Sequence, residues 1–293
     1  MPLGTLSPMK LDTNQASIRE AIDAGLLAGA VTLVWRSGEV LQVNELGHRD
    51  VDANLPMQRD TIFRIASMTK PVTVAAAMTL ADEGKLALTD PVAKWLPELS
   101  DVRALDTPGG PLDKTHPARR PITVDDLMTH RSGLAYFFSV TGPLATAYSR
   151  ISARQNPDRW LAEVAALPLQ HQPGDRMTYS NATDVLGILL ERIEGKSLQD
   201  VLAERVLGPL NMADTGFFVA SRNRGRAATM YNSRTTTRST TTRWGRRRSL
   251  HLPSAWVARI SSRLPTTICG SRECCWPAVK STTSGCCPKS RCG

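Results

Sequence analysis

Apolar residues in the first two-thirds of the chain recur at spacings that switch between those of helices and those of strands. Over residues 11–25, Ile18 and Ile22 lie one turn apart and Gly25 stands where a helix would end, which predicts an amphipathic helix. Two apolar runs follow, Ala30 to Trp35 and Val40 to Val43, separated by Arg36-Ser37-Gly38-Glu39. That pattern predicts a hairpin. From Ser67 to Glu83 the chain is apolar nearly all round and is followed by Gly84, which predicts a buried helix. Pro71 is tolerated only in a first turn, so this helix should begin close to Ser67. Further on, Thr123-Val124-Asp125-Asp126 has capping-box spacing and Asn156-Pro157 reads as an N-cap and first turn. Val185, Leu186, Leu189, Leu190 and Ile193 repeat at helical spacing until Gly195. Strands early and helices later predict a mixed domain with a helical region inserted after its first strands.

Composition divides the chain in two. Residues 1–219 sum to −5 and residues 220–293 to +14, giving the overall +9. All six cysteines (Cys269, Cys274, Cys275, Cys286, Cys287 and Cys292) lie in the tail, where Glu273 is the one acid against 15 Lys and Arg. A length of 293 residues with 41% hydrophobic content allows one large domain or two ordinary ones and excludes a disordered or fibrous front. No run approaches the roughly 20 apolar residues of a membrane span. The opening residues lack a basic stretch followed by an apolar one, so no secretory signal is read, and a cytoplasmic location is expected.

Two motifs carry candidate chemistry. Ser67-Met68-Thr69-Lys70 is an S-x-x-K pair, whose spacing of three puts hydroxyl and ammonium on one helix face. A serine nucleophile needs a partner to take its proton, and a helix N-terminus offers N–H groups and a positive dipole end to an oxyanion. Ser7-Pro8-Met9-Lys10 has the same spacing in what reads as an unstructured leader, so the pair alone is weak. Tyr179-Ser180-Asn181 lies just before the helix at Val185. A cation beside a phenol favours its proton-accepting form; the alternative is that Tyr179 packs at a helix entrance and Asn181 caps it. The five histidines show no H-E-x-x-H spacing, no metal or other cofactor is expected, and no G-x-S-x-G is present. His130 and Ser132, two residues apart in H-R-S-G, read as shaping a turn beside the site.

Residues 61–98, running T-I-F-R-I-A-S-M-T-K-P-V-T-V-A-A-A-M-T-L-A-D-E-G-K-L-A-L-T-D-P-V-A-K-W-L-P-E, resemble the nucleophile region of the β-lactamase-like serine hydrolases. That group includes class C β-lactamases, DD-peptidases and family VIII carboxylesterases. L-M-T-H-R-S-G-L at 127–134 and the Y-S-N string agree, and the resemblance spans roughly residues 15–218. It implies Ser67 as acylated nucleophile, Lys70 as its proton-handling partner, Tyr179 as general base and Asn181 as a polar contact orienting Lys70 or substrate. The implied fold is α/β plus all-α: a β-lactamase/transpeptidase-like antiparallel sheet flanked by helices, built from both chain ends around an inserted helical domain. The expected division is 1–80 for the first part of the α/β domain, 81–219 for a mainly helical domain, and 220–293 for an aberrant, disordered tail. The implied activity is hydrolysis of a small-molecule carboxylic ester through an acyl-enzyme. Action on β-lactams or D-Ala peptides is the alternative, with an amide as substrate.

The family's third motif, K-T-G or a variant, is not found; Trp244-Gly245-Arg246 is the nearest string. The tail has three readings. Arg246-Arg247-Arg248 with Trp244 could bind nucleic acid, the less favoured partner, and the cysteines could bind zinc, though without a C-x-x-C pair. The third reading is a change of coding frame. Joining the third base of each codon to the first two of the next turns Cys274-Cys275-Trp276-Pro277 into Leu-Leu-Ala whatever synonymous codons are used. Permitted choices nearby give S-T-A-D-D-Y and M-L-L-A-G-G-E-V-D-D-V-R-L-L, which look like the family's C-terminal region. The frame is expected to change between Val219 and about Ser233, leaving the later part of the sheet missing and the product poorly folded and weakly active. Sequencing the DNA that encodes residues 215–240 should reveal the inserted or deleted base; an unbroken frame there would overturn this reading.

Overall fold

The computed structural model describes residues 8–153, 155–232, 235–238 and 257–259. Helix α1 (Pro8–Asp23) opens on a proline, which suits a first turn because the N–H it lacks has no helical acceptor there. The segment read as a leader is thus helical from Pro8 onward. Strands β1 (Gly29–Arg36) and β2 (Glu39–Asp50) pair antiparallel across the expected turn. Ser37 and Gly38 take φ of 50° and 91°, the left-handed pair whose twist matches that of two hairpin strands. The hairpin runs past its predicted end at Val43 because buried Asn44 and Leu46 flank exposed Glu45, continuing the alternation through polar residues. Strand β3 (Leu55–Pro56) adds to the far edge in the order β1-β2-β3.

Strand β4 (Ile62–Arg64) leads through a single 3-10 turn, Ala66–Met68, into α2 (Thr69–Asp82). This matches the start expected near Ser67. A small ribbon of β5 (Arg103–Leu105) and β6 (Thr115–Pro117) precedes α3 (Val124–Met128). The capping box forms as its spacing predicts: Asp126 N–H donates to Thr123 Oγ1 at 3.3 Å and Thr123 N–H to Asp126 Oδ2 at 2.9 Å. Helices α4 (Gly142–Arg150), α5 (Pro157–Ala165), α6 (Ala182–Glu194) and α7 (Leu198–Leu202) follow. Asn156 caps α5 by accepting from Asp158 N–H at 2.8 Å, and Gly195 closes α6 at a φ of 64°.

The main core lies among α2, α3, α6 and α7. Ala76, Ala77 and Leu80 of α2 meet Leu186 and Leu189 of α6 within one apolar cluster that also takes in Leu127 and Leu202. Helix α2 therefore belongs to the helical body, and the division expected after residue 80 falls inside its last turn. Two guanidinium clamps tie helix ends together. Arg205 bridges Glu83 and Glu194 at 2.8 Å each, and Arg192 bridges Glu98 at 2.6 Å and Asp158 at 2.9 Å. With Arg205 and Lys85 both hydrogen-bonded to it, Glu83 has its carboxyl held down at about 2.

The chain then returns to the sheet. Ala228 N–H donates to Ile62 O at 2.9 Å and Thr229 N–H to Arg49 O at 2.7 Å, while Arg226 pairs with Asp214 at 3.0 Å. Strands β7 (Tyr231–Asn232) and β8 (Thr235–Arg238) form a ribbon, and β9 (Val257–Arg259) pairs antiparallel with β4. The tail boundary expected at residue 220 thus falls within a packed segment, because Arg226, Thr229 and Tyr231 find acidic or backbone partners on the older part of the fold. The cysteines and the Arg246-Arg247-Arg248 run, with their zinc and nucleic-acid readings, lie outside the described residues. Among the described residues no helix is long and apolar enough to cross a membrane.

Asp126 joins capping and charge pairing in one buried group. Burial alone would raise its carboxyl, but the two-pronged contact with Arg120 (2.6 and 2.9 Å) and the Thr123 donors outweigh it and hold it below the ordinary 3.8. A lowered folded value means stability present above the unfolded value and lost as pH falls through the folded one. Asp126→Asn should therefore lower stability by about 2 kcal/mol at pH 7, with the gap to the parent chain closing on acidification below about 4; urea denaturation at several pH values checks this.

Candidate active site

Ser67 stands in the turn that feeds α2, exposed at the surface. Ala66 immediately before it has a φ of 42°, a left-handed backbone that an L residue enters only at a cost. This strained residue turns the chain from β4 into the helix and leaves the serine at its N-terminal end. Lys70 follows one turn later, as the S-x-x-K spacing requires.

Tyr179 arrives from the loop before α6. Its hydroxyl is 2.5 Å from Ser67 Oγ across 112 residues of sequence. Each of these hydroxyls can donate or accept, so the short contact is a ready path for the serine proton. Lys70 Nζ lies 5.1 Å from the centre of the Tyr179 ring and 5.4 Å from that of Tyr136. It also donates to Tyr136 Oη at 3.3 Å. The structure thus brings Ser67, Lys70 and Tyr179 together.

Asn181 occupies the N-cap position of α6 through its main chain: its carbonyl accepts from the N–H groups of Asp184 and Val185. Its side chain makes no capping bond, and its buried Oδ1 has no hydrogen-bond partner among the described residues. The simple capping alternative for Asn181 therefore fails at the side chain, which is left with a buried acceptor and no donor among the described residues.

Two histidines bracket the Tyr179 loop. Thr178 N–H donates to His130 O at 2.9 Å, and Thr178 Oγ1 meets His171 Nε2 at 3.0 Å. Ser180 N–H points at His130 Nδ1 at 3.3 Å, with Ser180 Oγ 3.1 Å from the same nitrogen. A donor aimed at Nδ1 fixes the neutral tautomer with its proton on Nε2. His130 also lies in a left-handed turn, φ 57°, and its ring is 5.0 Å from that of Tyr179. Gly133 of the same turn has a φ of 85°, and a Cβ there would lie 2.4 Å from His171 O. The H-R-S-G string thus forms a turn against residues 169–172, as its sequence suggests, and Ser132 is buried within it.

Sequence reasoning missed Tyr136 and Asp184. Tyr136 Oη donates to Asp184 Oδ2 at 2.7 Å, next to Lys70. The signals were present but unspecific: the aromatic run Tyr136-Phe137-Phe138 after a glycine turn, and one acid within the apolar string Ala182-Thr183-Asp184-Val185-Leu186. Among the described residues no three potential metal ligands cluster.

Comparison with known proteins agrees with this geometry. A family model described as Beta-lactamase matches residues 15–258. The chain belongs to the beta-lactamase family. Protein Rv1367c of Mycobacterium tuberculosis is 65% identical over 223 residues, covering 76% of this chain and 56% of that protein. Esterase EstB of Burkholderia gladioli is 34% identical over 239 residues, covering 76% and 58%. The chain thus spans somewhat over half the length of these relatives. Among solved structures, EstCE1, a hydrolase with promiscuous acyltransferase activity, superposes with a TM-score of 0.71 at 28% identity, covering 85% of this chain and 69% of its own. The β-lactamase/transpeptidase-like fold expected from the motifs is therefore the fold of this chain, and its relatives include an esterase and a hydrolase with acyltransferase activity.

Burial, reinforced by the Lys70 charge, lowers His130 below its ordinary 6.5. Burial likewise lowers His171, against the opposing pull of the Gln172 carbonyl. Since the unfolded chain takes up these protons first, acidification below about 6.5 should weaken the fold around the Tyr179 loop. NMR titration should place both imidazole midpoints below that of a free histidine; a midpoint above it for His130 would contradict the neutral bracket.

Proposed function

We propose that this beta-lactamase-family chain hydrolyses carboxylic esters through an acyl-enzyme on Ser67. The observation that carries the reading is the 2.5 Å contact between Tyr179 Oη and Ser67 Oγ, with Lys70 beside the tyrosine ring. Ser67 Oγ attacks the ester carbonyl carbon as its proton passes along the short contact to the Tyr179 oxygen, with the Lys70 ammonium beside that ring. The carbonyl oxygen becomes an oxyanion at the positive end of α2, where the first helical N–H groups lack internal partners. Collapse breaks the bond to the alcohol, which leaves with the proton held by Tyr179. Water then adds to the acyl-serine carbonyl, giving up a proton by the same route, and the free acid departs with Ser67 restored.

Ester over β-lactam is supported by the surroundings of the serine. Met68, Phe137 and Phe138 are exposed, and the Phe138 ring lies 6.4 Å from that of Tyr179. An exposed apolar rim beside a nucleophile suits an apolar acyl or alcohol group better than a compact charged β-lactam. The esterase relatives point the same way. Turnover by this chain is weak on this reading, since its sequence shows no third motif to line the site.

In assays with p-nitrophenyl butyrate and nitrocefin, the ester should turn over measurably and faster than the β-lactam. Ser67→Ala should abolish the activity, and Tyr179→Phe should lower it about 10²–10⁴-fold. A faster reaction with nitrocefin would move the assignment to the β-lactamase reading; turnover surviving in Ser67→Ala would remove the acyl-enzyme altogether.

A further inference from the structure

Lys70 lies between two tyrosines whose surroundings set them apart. Tyr179 Oη reaches Ser67, whereas Tyr136 Oη donates to Asp184 and accepts from Lys70. The two rings lie 5.7 Å apart, each within cation–π reach of the Lys70 ammonium. Burial, and then the Asp184 charge, pushes the Tyr136 hydroxyl far above the ordinary phenol range. It therefore keeps its proton, with its one O–H directed to Asp184 and a lone pair left for Lys70.

Asp184 is the odd residue in its helix. It lies buried in a stretch from Ala182 to Leu190 in which every residue is buried. Burial raises its carboxyl above the ordinary carboxylate range, while the Tyr136 hydroxyl and the Lys70 charge oppose that rise. An acid so placed costs stability relative to an apolar side chain, and core packing gives no reason for it. Its position explains it: from the first turn of α6, Asp184 reaches Tyr136, and through Tyr136 it reaches Lys70.

We propose that Asp184 and Tyr136 form a positioning relay for Lys70, the carboxylate fixing the tyrosine hydroxyl and the hydroxyl holding the ammonium between the two rings. Neither residue touches the reacting atoms. The groups facing Lys70 from neighbouring elements are Tyr136 and His130 from the segment after α3, Tyr179 from the loop before α6, and Asp184 from α6 itself. Of these, only Tyr136 has its hydroxyl fixed by a buried acid, which makes it the anchor and leaves Tyr179 free for the serine proton. Losing the anchor lets the ammonium drift from the Tyr179 ring, which slows proton transfer without weakening ester binding.

The relay rests on the acyl-enzyme reading, and the experiment separates the two. In the full chain, Ser67→Ala, Tyr136→Phe, Asp184→Asn and the Tyr136→Phe/Asp184→Asn double variant are assayed with p-nitrophenyl butyrate for kcat, KM and Tm. Leu161→Ala, a packing change on α5 away from the contact between α2 and α6, serves as the structural control. The relay expects each single variant to lose about 10–100-fold in kcat with KM little changed, and the double variant to lose no more than the worse single, as for residues acting as a unit. Leu161→Ala should lower Tm while leaving kcat near the parent value. Full kcat in Tyr136→Phe, or losses that multiply in the double variant, would overturn the relay while leaving the acyl-enzyme in place. Activity that survives Ser67→Ala would overturn both. If Asp184→Asn does not fold, Tyr136→Phe decides, because it keeps the ring and removes only the hydroxyl.

Discussion

A helix buried on every side cannot turn about its axis without disturbing each of its neighbours, and α6 is such a helix through its first nine residues. The rest of the site depends on that constraint. The loop entering α6 carries Tyr179, its N-cap is Asn181 and its first turn carries Asp184, while its flank packs on α2, which follows directly on the turn holding Ser67. Two elements locked together in one dry core hold their ends at a fixed separation, and the serine and tyrosine hydroxyls meet across that separation. Chemistry placed at the N-terminal ends of packed helices inherits its precision from the packing behind it.

The ionic contacts act at the opposite ends of the same helices. Arg205 draws Glu83, just past α2, towards Glu194 at the last residue of α6, and Arg192 reaches across from α6 to Glu98 and Asp158. Each guanidinium serves two carboxylates, a use of its planar fork that a lysine could not reproduce. Apolar contact fixes the helices in the middle and charge fixes them where water reaches, so the active end is left without clamps of its own. There the polar partners include the histidines around Tyr179 and the acid beside Tyr136.

Much of this was legible in the sequence because it is local. The hairpin turn at Ser37-Gly38, the capping box at Thr123, the N-cap at Asn156 and the apolar repeat of α6 all depend on residues within one or two turns of each other. Ser67, Lys70 and Tyr179 were legible through short strings in a familiar order. The Tyr136–Asp184 contact spans 48 residues and the Tyr136–Lys70 contact 66, distances at which spacing says nothing. The second half of β2 was missed because its alternation is carried by asparagine, histidine and arginine. The stretch 221–232 was hard to read for the opposite reason: its basic composition resembles that of the residues beyond it, while Arg226 pairs with Asp214 and with Asp60, far back in the sequence.

Gly133 shows how much a small string can record. With φ at 85°, its hydrogen stands where any larger group would strike His171 O at 2.4 Å and Leu169 Cβ at 2.9 Å. Every missense change at a glycine codon adds at least one carbon, and here each such carbon would push the His171 segment away and loosen the loop that presents Tyr179. The turn that helps to mark this chain's kinship takes no part in the reaction. A larger side chain there would make itself felt one layer away, in the segment that supports the Tyr179 loop.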